Sequence, residues 1–404
     1  MTFRAWSRVI YLLAIGFPSS SCVLNAPLAN AAWSSSGQLG DASAQQRVNK
    51  LDLRNKSATA ATVDDLQRIL AEDKSKPDAE IAQQLSRLEL TERMSYAKFK
   101  SLEQNVPGTE SRWALVALAD ASVFLSPAAA DVLSQARPDL DEQRRMLTLT
   151  VGYLVKTLPK LPNFYATRTI VRFEDMQSGK RTSSGSRNSS WRQVGSSKVV
   201  VAYRDGSEVI DPREWGKHPH EPDGEGLITR GTFGPILSVT FVDAVHTGGF
   251  TWSRWERQSA GTAAVFRYRV EKEHSHYSVG THSLFSDKGD AEQPAAYHGE
   301  VAIDPATGTI LRLTVQAEEP LDSSILQSDI MVEYGPVEIG GKTYACPVRS
   351  VSMGGTESIG VPGLFGEPTL APDTLLLNDM TFENYHQFRS ESRILSGIIS
   401  TPAH

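Results

Sequence analysis

Residues 299–320 read GEVAIDPATGTILRLTVQAEEP, and residues 334–350 read YGPVEIGGKTYACPVRS. In the first stretch, Val301 and Ile303 alternate with polar neighbours until Asp304-Pro305-Ala306-Thr307-Gly308 supplies turn chemistry. Alternation then resumes, with Leu311, Leu313 and Val315 on one face and Arg312, Thr314 and Gln316 on the other. This is a strand–turn–strand unit with one dry and one wet face. The second stretch repeats the pattern, with Gly340-Gly341 as a tight hairpin turn that tolerates positive φ. Such pairs build a meandering antiparallel sheet. A sheet with one long apolar face must cover a helix, another sheet or a ligand.

The same two-residue period runs from Phe164 onward. Thr169, Val171 and Phe173 alternate with Ile170, Arg172 and Glu174, and Val199–Tyr203 leads into a turn at Asp205-Gly206. Phe250–Arg257 and Ala263–Glu271 flank a Ser259-Ala260-Gly261 turn, placing Phe266, Tyr268 and Val270 on one face. Trp252 and Trp255 fall on opposite faces of their strand by the same count. Loops are expected at 177–190, 218–226 and 354–373, and a last strand or two within 375–388. About nine or ten strands result, the pattern of a sandwich, barrel or strongly curved sheet. One segment breaks the rhythm: Gly234–Ala244, GPILSVTFVDA, is a continuous apolar run that reads as a short helix against the sheet's concave face or a buried strand, the helix being preferred.

Before the sheet, residues 61–160 carry helical spacing. Thr62, Asp78 and Thr91 are the expected caps of three successive helices, the third including Met94, Phe99 and Leu102. Ser111–Leu125 is more apolar and central, Pro127 and Pro138 bound a short helix, and Asp141 begins the strongest one. Ahead of these, residues 32–60 read as a flexible linker, and residues 395–404 as a tail. Residues 1–31 read as a secretory leader: Arg4 and Arg8, a short apolar core over 9–17, and the small-x-small site Ala29-Asn30-Ala31. Cleavage after Ala31 is expected, while Cys22 after three serines leaves open a lipid tether. The apolar core falls short of the roughly 20 residues that span a bilayer, so no transmembrane segment is expected in the mature chain.

The formal charge is −6, and losing the leader makes it more negative by two. An acidic surface offers no footprint for nucleic acid. Without Cys22 only Cys346 remains, set among alternating residues as a buried structural thiol.

The strand ending Tyr203-Arg204-Asp205-Gly206, the pattern G-x-x-x-I-D-P-x-T-G-x-x-L-R over 299–312, and the Tyr334–Pro347 hairpin together resemble the periplasmic lipoprotein-carrier superfamily. That group includes outer-membrane lipoprotein carriers and envelope-stress sensor domains. The resemblance covers residues 164–394 and implies an open, strongly curved antiparallel sheet, an unclosed barrel with helices plugging its mouth. It implies an apolar cavity for acyl chains, lined here by Phe266, Tyr268, Val270, Leu311, Leu313 and Val315. It implies neither catalytic residues nor a cofactor. The long helical segment ahead of the sheet is outside that pattern.

Motifs for catalysis are sparse. No histidine occurs in residues 1–200, which removes a histidine-bearing metal bundle from the helical part. His218/His220 and His274/His276 have the i, i+2 spacing that places two imidazoles on one strand face, and His274 with His276 is the only metal candidate. Gly340-Gly341-Lys342-Thr343 has Pro336 where a phosphate loop needs glycine, and a strand follows it instead of a helix. No G-x-S-x-G elbow is present. The expectation is an α+β, exported envelope protein that binds an apolar or acyl-bearing ligand without catalysis. An interaction module with a filled sheet core, contacting an envelope partner through its helices, is the alternative. A metal-dependent hydrolase using the histidine pairs is the third.

Overall fold

The computed structural model describes residues 59–73, 75–157, 160–176, 191–204, 207–210, 227, 235–247, 249–259, 261–279, 293–318, 325–356 and 374–387. The leader, Cys22, most of the linker, His218, His220, His282 and the tail lie outside them.

The helical part begins with strand β1 (Thr59–Ala61), so the expected linker ends before residue 59. Helix α1 (Val63–Glu72) starts at a capping box: Thr62 Oγ1 accepts from the Asp65 N–H, and Asp65 Oδ2 accepts from the Thr62 N–H, both at 3.1 Å. Asp78 opens α2 (Asp78–Leu85), but its side chain does not cap that helix. Its carboxylate instead accepts the Glu110 and Ser111 N–H groups at 3.0 and 2.9 Å, at the start of α4 (Thr109–Ala121). Between them lie β2 (Leu88–Leu90), which pairs parallel with β1, and α3 (Tyr96–Glu103). Neither the β1–β2 pair nor Ser95 as the start of α3 follows from the residue pattern. Thr91 instead lies in the bend that follows β2, and Met94 precedes the helix. The expected helix between Pro127 and Pro138 is only a single 3-10 turn at Ala129–Asp131. Helix α5 (Leu140–Thr157) follows.

The main sheet contains β3 (Phe164–Met176), β4 (Trp191–Arg204), β5 (Ser207–Ile210), β6 (Thr251–Gln258) and β7 (Gly261–Val270). Two short strands, β8 (Ser278–Val279) and β9 (Gln293–Pro294), pair apart from it. It is completed by β10 (Ala296–Ile303), β11 (Ile310–Glu318), β12 (Ile325–Ile339), β13 (Lys342–Thr356) and β14 (Thr374–Gln387). Its ten strands run in the order β5-β4-β3-β14-β13-β12-β11-β10-β7-β6, every pairing antiparallel, and the two ends do not join. The turns read at 304–308 and 340–341 are present, while Asp205-Gly206 and Ala260 lie outside the described residues. Asp304 Oδ1 accepts the Ala306 N–H at 2.7 Å, and Gly340 and Gly341 take φ of 60° and 79°. Strand β13 runs on through Gly354 to Thr356, so the expected loop at 354–373 gives up its first residues to the sheet.

Directly opposed residues share a face. One row runs Phe266, Val301, Leu313, Val332, Ser350, Met380, Ile170 across the sheet. This face is covered by α5, through Met146 and Leu154, and by α6 (Pro235–His246), the helix expected from the apolar run. On the opposite face, Val171, Phe173, Met331, Val351 and Leu377 pack against Val116 and Ala117 of α4. Helices therefore cover both faces.

Buried charge joins the second face to the helical part. Glu256 of β6 bonds Arg93 at 2.6 Å and Arg312 of β11 at 2.8 Å. Asp120 of α4 contacts Arg349 of β13, which also bonds Asp379 of β14 at 3.2 Å. Burial raises the Asp120 carboxyl well above the usual carboxylate range, and Asp379 beside it adds to the shift against the pull of Arg349.

Candidate functional site

The strongest concentration of apolar side chains lies under α6. Phe266, Tyr268 and Val270 of β7, Tyr297 and Val301 of β10, and Leu313 and Val315 of β11 form the floor. Ile236, Leu237, Phe241 and Ala244 of α6 press onto it. Of the six residues expected to line a cavity, Phe266, Val270, Leu313 and Val315 are 0 % exposed and Tyr268 4 %. Side chains from α5 and α6 occupy the layer above them.

The sixth, Leu311, is elsewhere. Register slips between Ala302 and Ile303, so that Ala302 faces Arg312 while Ile303 faces Ile310, and Leu311 is the extra residue. The bulge sends Leu311 to Ala263, Val265 and Ala302 on the opposite face and puts Ile310 in the floor. Trp252 and Trp255 need the same correction. A bulge between Trp252 and Arg254 brings both indoles against this core, their centroids 4.9 Å apart and edge to face.

Aromatic rings tile the floor. Phe241 meets Phe250 at 4.8 Å, Phe250 meets Tyr268 at 5.7 Å, and Tyr297 lies 6.0 Å from Tyr268 and 5.5 Å from Tyr277. Tyr268 reaches across β10 to donate its hydroxyl to the Thr314 carbonyl at 2.5 Å. Gly299 makes that crossing possible, because a Cβ there would sit 1.9 Å from the Thr314 carbonyl oxygen and 2.6 Å from the Tyr268 hydroxyl.

Among the described residues, one carboxylate lies in this layer. Asp243, the only acid of α6, is fully buried, and a buried carboxylate must find donors. Oδ2 accepts the His276 backbone N–H at 2.8 Å and the Tyr297 hydroxyl at 2.9 Å, while Oδ1 lies 2.6 Å from His276 Nδ1. A carboxylate only accepts, which fixes the proton on Nδ1 and turns Nε2 outward. Burial, and then the charge of Asp243, pushes the Tyr297 phenol far above its ordinary value and keeps its hydroxyl a donor.

His276 is therefore not one of a strand-borne imidazole pair. His274 ends a 3-10 turn over Lys272–His274, and His276 lies beyond it outside any strand, because that turn breaks off the alternation of β7. Among the described residues no three His, Cys, Asp or Glu side chains gather at metal-binding spacing. His298 instead bonds Glu318 at 3.0 Å, and His246 is exposed. Cys346 is buried, and that burial pushes its thiol up to about 12.

Reading the sequence by motif misses Asp243, Tyr297 and the role of His276. The available signal was the single carboxylate inside the apolar run GPILSVTFVDA, which can be buried only with donors waiting for it. No protein-family model matches this chain, and no curated protein or solved structure is detectably similar to it.

Proposed function

We propose that this chain is an exported, non-enzymatic binding protein of the cell envelope, whose apolar sheet face receives an acyl-bearing ligand in the layer that α6 now occupies. The observation that carries this reading is the character of α6. Its inner side is apolar, yet its outward side also carries valines: Val239 and Val242 are half-buried and Val245 is 58 % exposed. A helix apolar on both sides is one that calls for cover on both sides, so the outer valines of α6 leave apolar surface for a ligand to meet. The leader features of residues 1–31, the helix-covered open sheet and the turn patterns shared with periplasmic lipoprotein carriers support the same reading.

A second reading has its own observation. The floor side chains are buried as in a packed core, and α4 meets the sheet through a buried ion pair of Asp120 with Arg349. On that account the chain is an interaction module with a filled core, contacting an envelope partner. Native mass spectrometry of the purified chain, with titration of a fluorescent fatty acid, separates the two. Co-purified lipid or saturable probe uptake, with a mature N-terminus at Ala32, supports the carrier. A ligand-free protein that never takes up the probe refutes it in favour of the module.

A further inference from the structure

Three donors converge on one carboxylate at the rim of the aromatic floor: the Tyr297 hydroxyl, the His276 backbone N–H and His276 Nδ1. The carboxylate belongs to Asp243, and the segment that carries it lays Ile236, Leu237 and Phe241 along the floor. An apolar body ending in a buried carboxylate is, in chemical outline, a fatty acid. We propose that α6 is a built-in surrogate ligand. The cradle of Tyr297 and His276 is then a carboxylate-binding site for a single-chain, carboxylate-headed amphiphile, which takes the place of Asp243 when α6 lifts.

This assignment rests on the carrier reading above and narrows it from any acyl-bearing ligand to one with an anionic carboxylate head. The geometry distinguishes the cradle from a simple staple for α6. Thr247 already fastens the end of the helix, its hydroxyl donating to the Arg269 carbonyl at 3.1 Å. Asp243 is 0 % exposed, and burying a charge only to fix a helix end is costly where a neutral side chain would serve. Two of the donors, Tyr297 and the backbone of His276, belong to β10 and the segment before β8, so they stay in place when α6 moves. The His276 side chain is 58 % exposed, which puts the cradle at the solvent edge where a polar head must sit.

The test compares dodecanoate with dodecan-1-ol, which share the chain and differ in the head, by calorimetric titration of the full-length mature chain. Asp243→Asn removes the charge of the internal competitor and sets an amide against donors. It should tighten dodecanoate binding about tenfold and leave the preference for dodecanoate over the alcohol intact. Tyr297→Phe keeps the ring and removes one cradle donor. It should cut the preference for dodecanoate over the alcohol about tenfold, and it serves if Asp243→Asn fails to fold. Equal affinity for acid and alcohol in the parent would overturn the cradle and leave the carrier reading standing. Weaker dodecanoate binding by a folded Asp243→Asn protein, or an unchanged preference in Tyr297→Phe, would also overturn it. Binding of neither probe by any of the three proteins would remove the cradle and the carrier reading together.

Discussion

Replacing Glu256 with Gln tests whether the helical part is held to the sheet by charge. Glu256 receives Arg93 at 2.6 Å, Arg312 at 2.8 Å and Arg254 at 2.8 Å, with its side chain 2 % exposed. The nearby Glu300 is engaged by Arg254 at 2.6 Å and by Arg267 at 3.1 Å. Glu256→Gln leaves Arg93 and Arg312, 8 % and 6 % exposed at the side chain, with no carboxylate between them. Removing one member of a buried ion group costs about 3–5 kcal/mol, because Arg93 and Arg312 stay desolvated and Glu300, 3.9 Å from Arg312, replaces the lost carboxylate only at long range. Arg267, 61 % exposed, is the control, and Arg267→Gln should cost under about 1 kcal/mol. Urea unfolding followed by tryptophan fluorescence reads both. Acid gives an independent check. Burial alone would raise the Glu256 carboxyl, but Arg312 and Arg93 outweigh it and hold it well below the usual carboxylate range. Its contribution is therefore present above the unfolded pKa of about 4.3 and is lost as pH falls below that toward the folded value. Glu256→Gln should lose that part of the acid slope. A variant within about 1 kcal/mol of the parent, with the acid slope unchanged, would refute the reasoning.

Three further outcomes are expected. Gly299→Ala places a methyl 1.9 Å from the Thr314 carbonyl and should cost about 3 kcal/mol in urea unfolding, and a neutral result would mean that β10 and β11 separate readily there. Leu313→Ala, at a fully buried position, should cost about 2–5 kcal/mol, and a loss below that range would show the floor to be loosely filled. Cys346, with its thiol pushed up to about 12 and buried, should resist a thiol reagent in the native chain and react stoichiometrically in urea, whereas fast native labelling would contradict its burial.

Local patterns were decided by local physics. The hairpins at 304–308 and 340–341 were legible because positive φ and Asx turns demand particular residues within a few positions. The capped start of α1 and the antiparallel strands followed from caps and spacing, while the apolar run at 234–244 fitted a buried strand as well as the helix it forms. Which residues share a face was legible only until a bulge intervened. Leu311 changed sides, and Trp252 and Trp255 came together on one core, because one extra residue in a strand inverts the alternation, and nothing in the residue types at 302–312 or 252–254 announces it.

The site was less legible still. Phe266, Tyr268, Val270, Leu313 and Val315 could be named as apolar strand positions, since burial of one face follows from alternation. That α5 would lie over them beside α6 is a matter of docking between segments far apart in sequence. So is Asp78 serving α4 instead of its own helix, and so is Asp243 meeting His276 and Tyr297, 33 and 54 residues away. A buried charge states in the sequence that it needs partners. Only the packed tertiary structure says which ones, because the choice is made by the geometry of the whole sheet and not by the residues beside it.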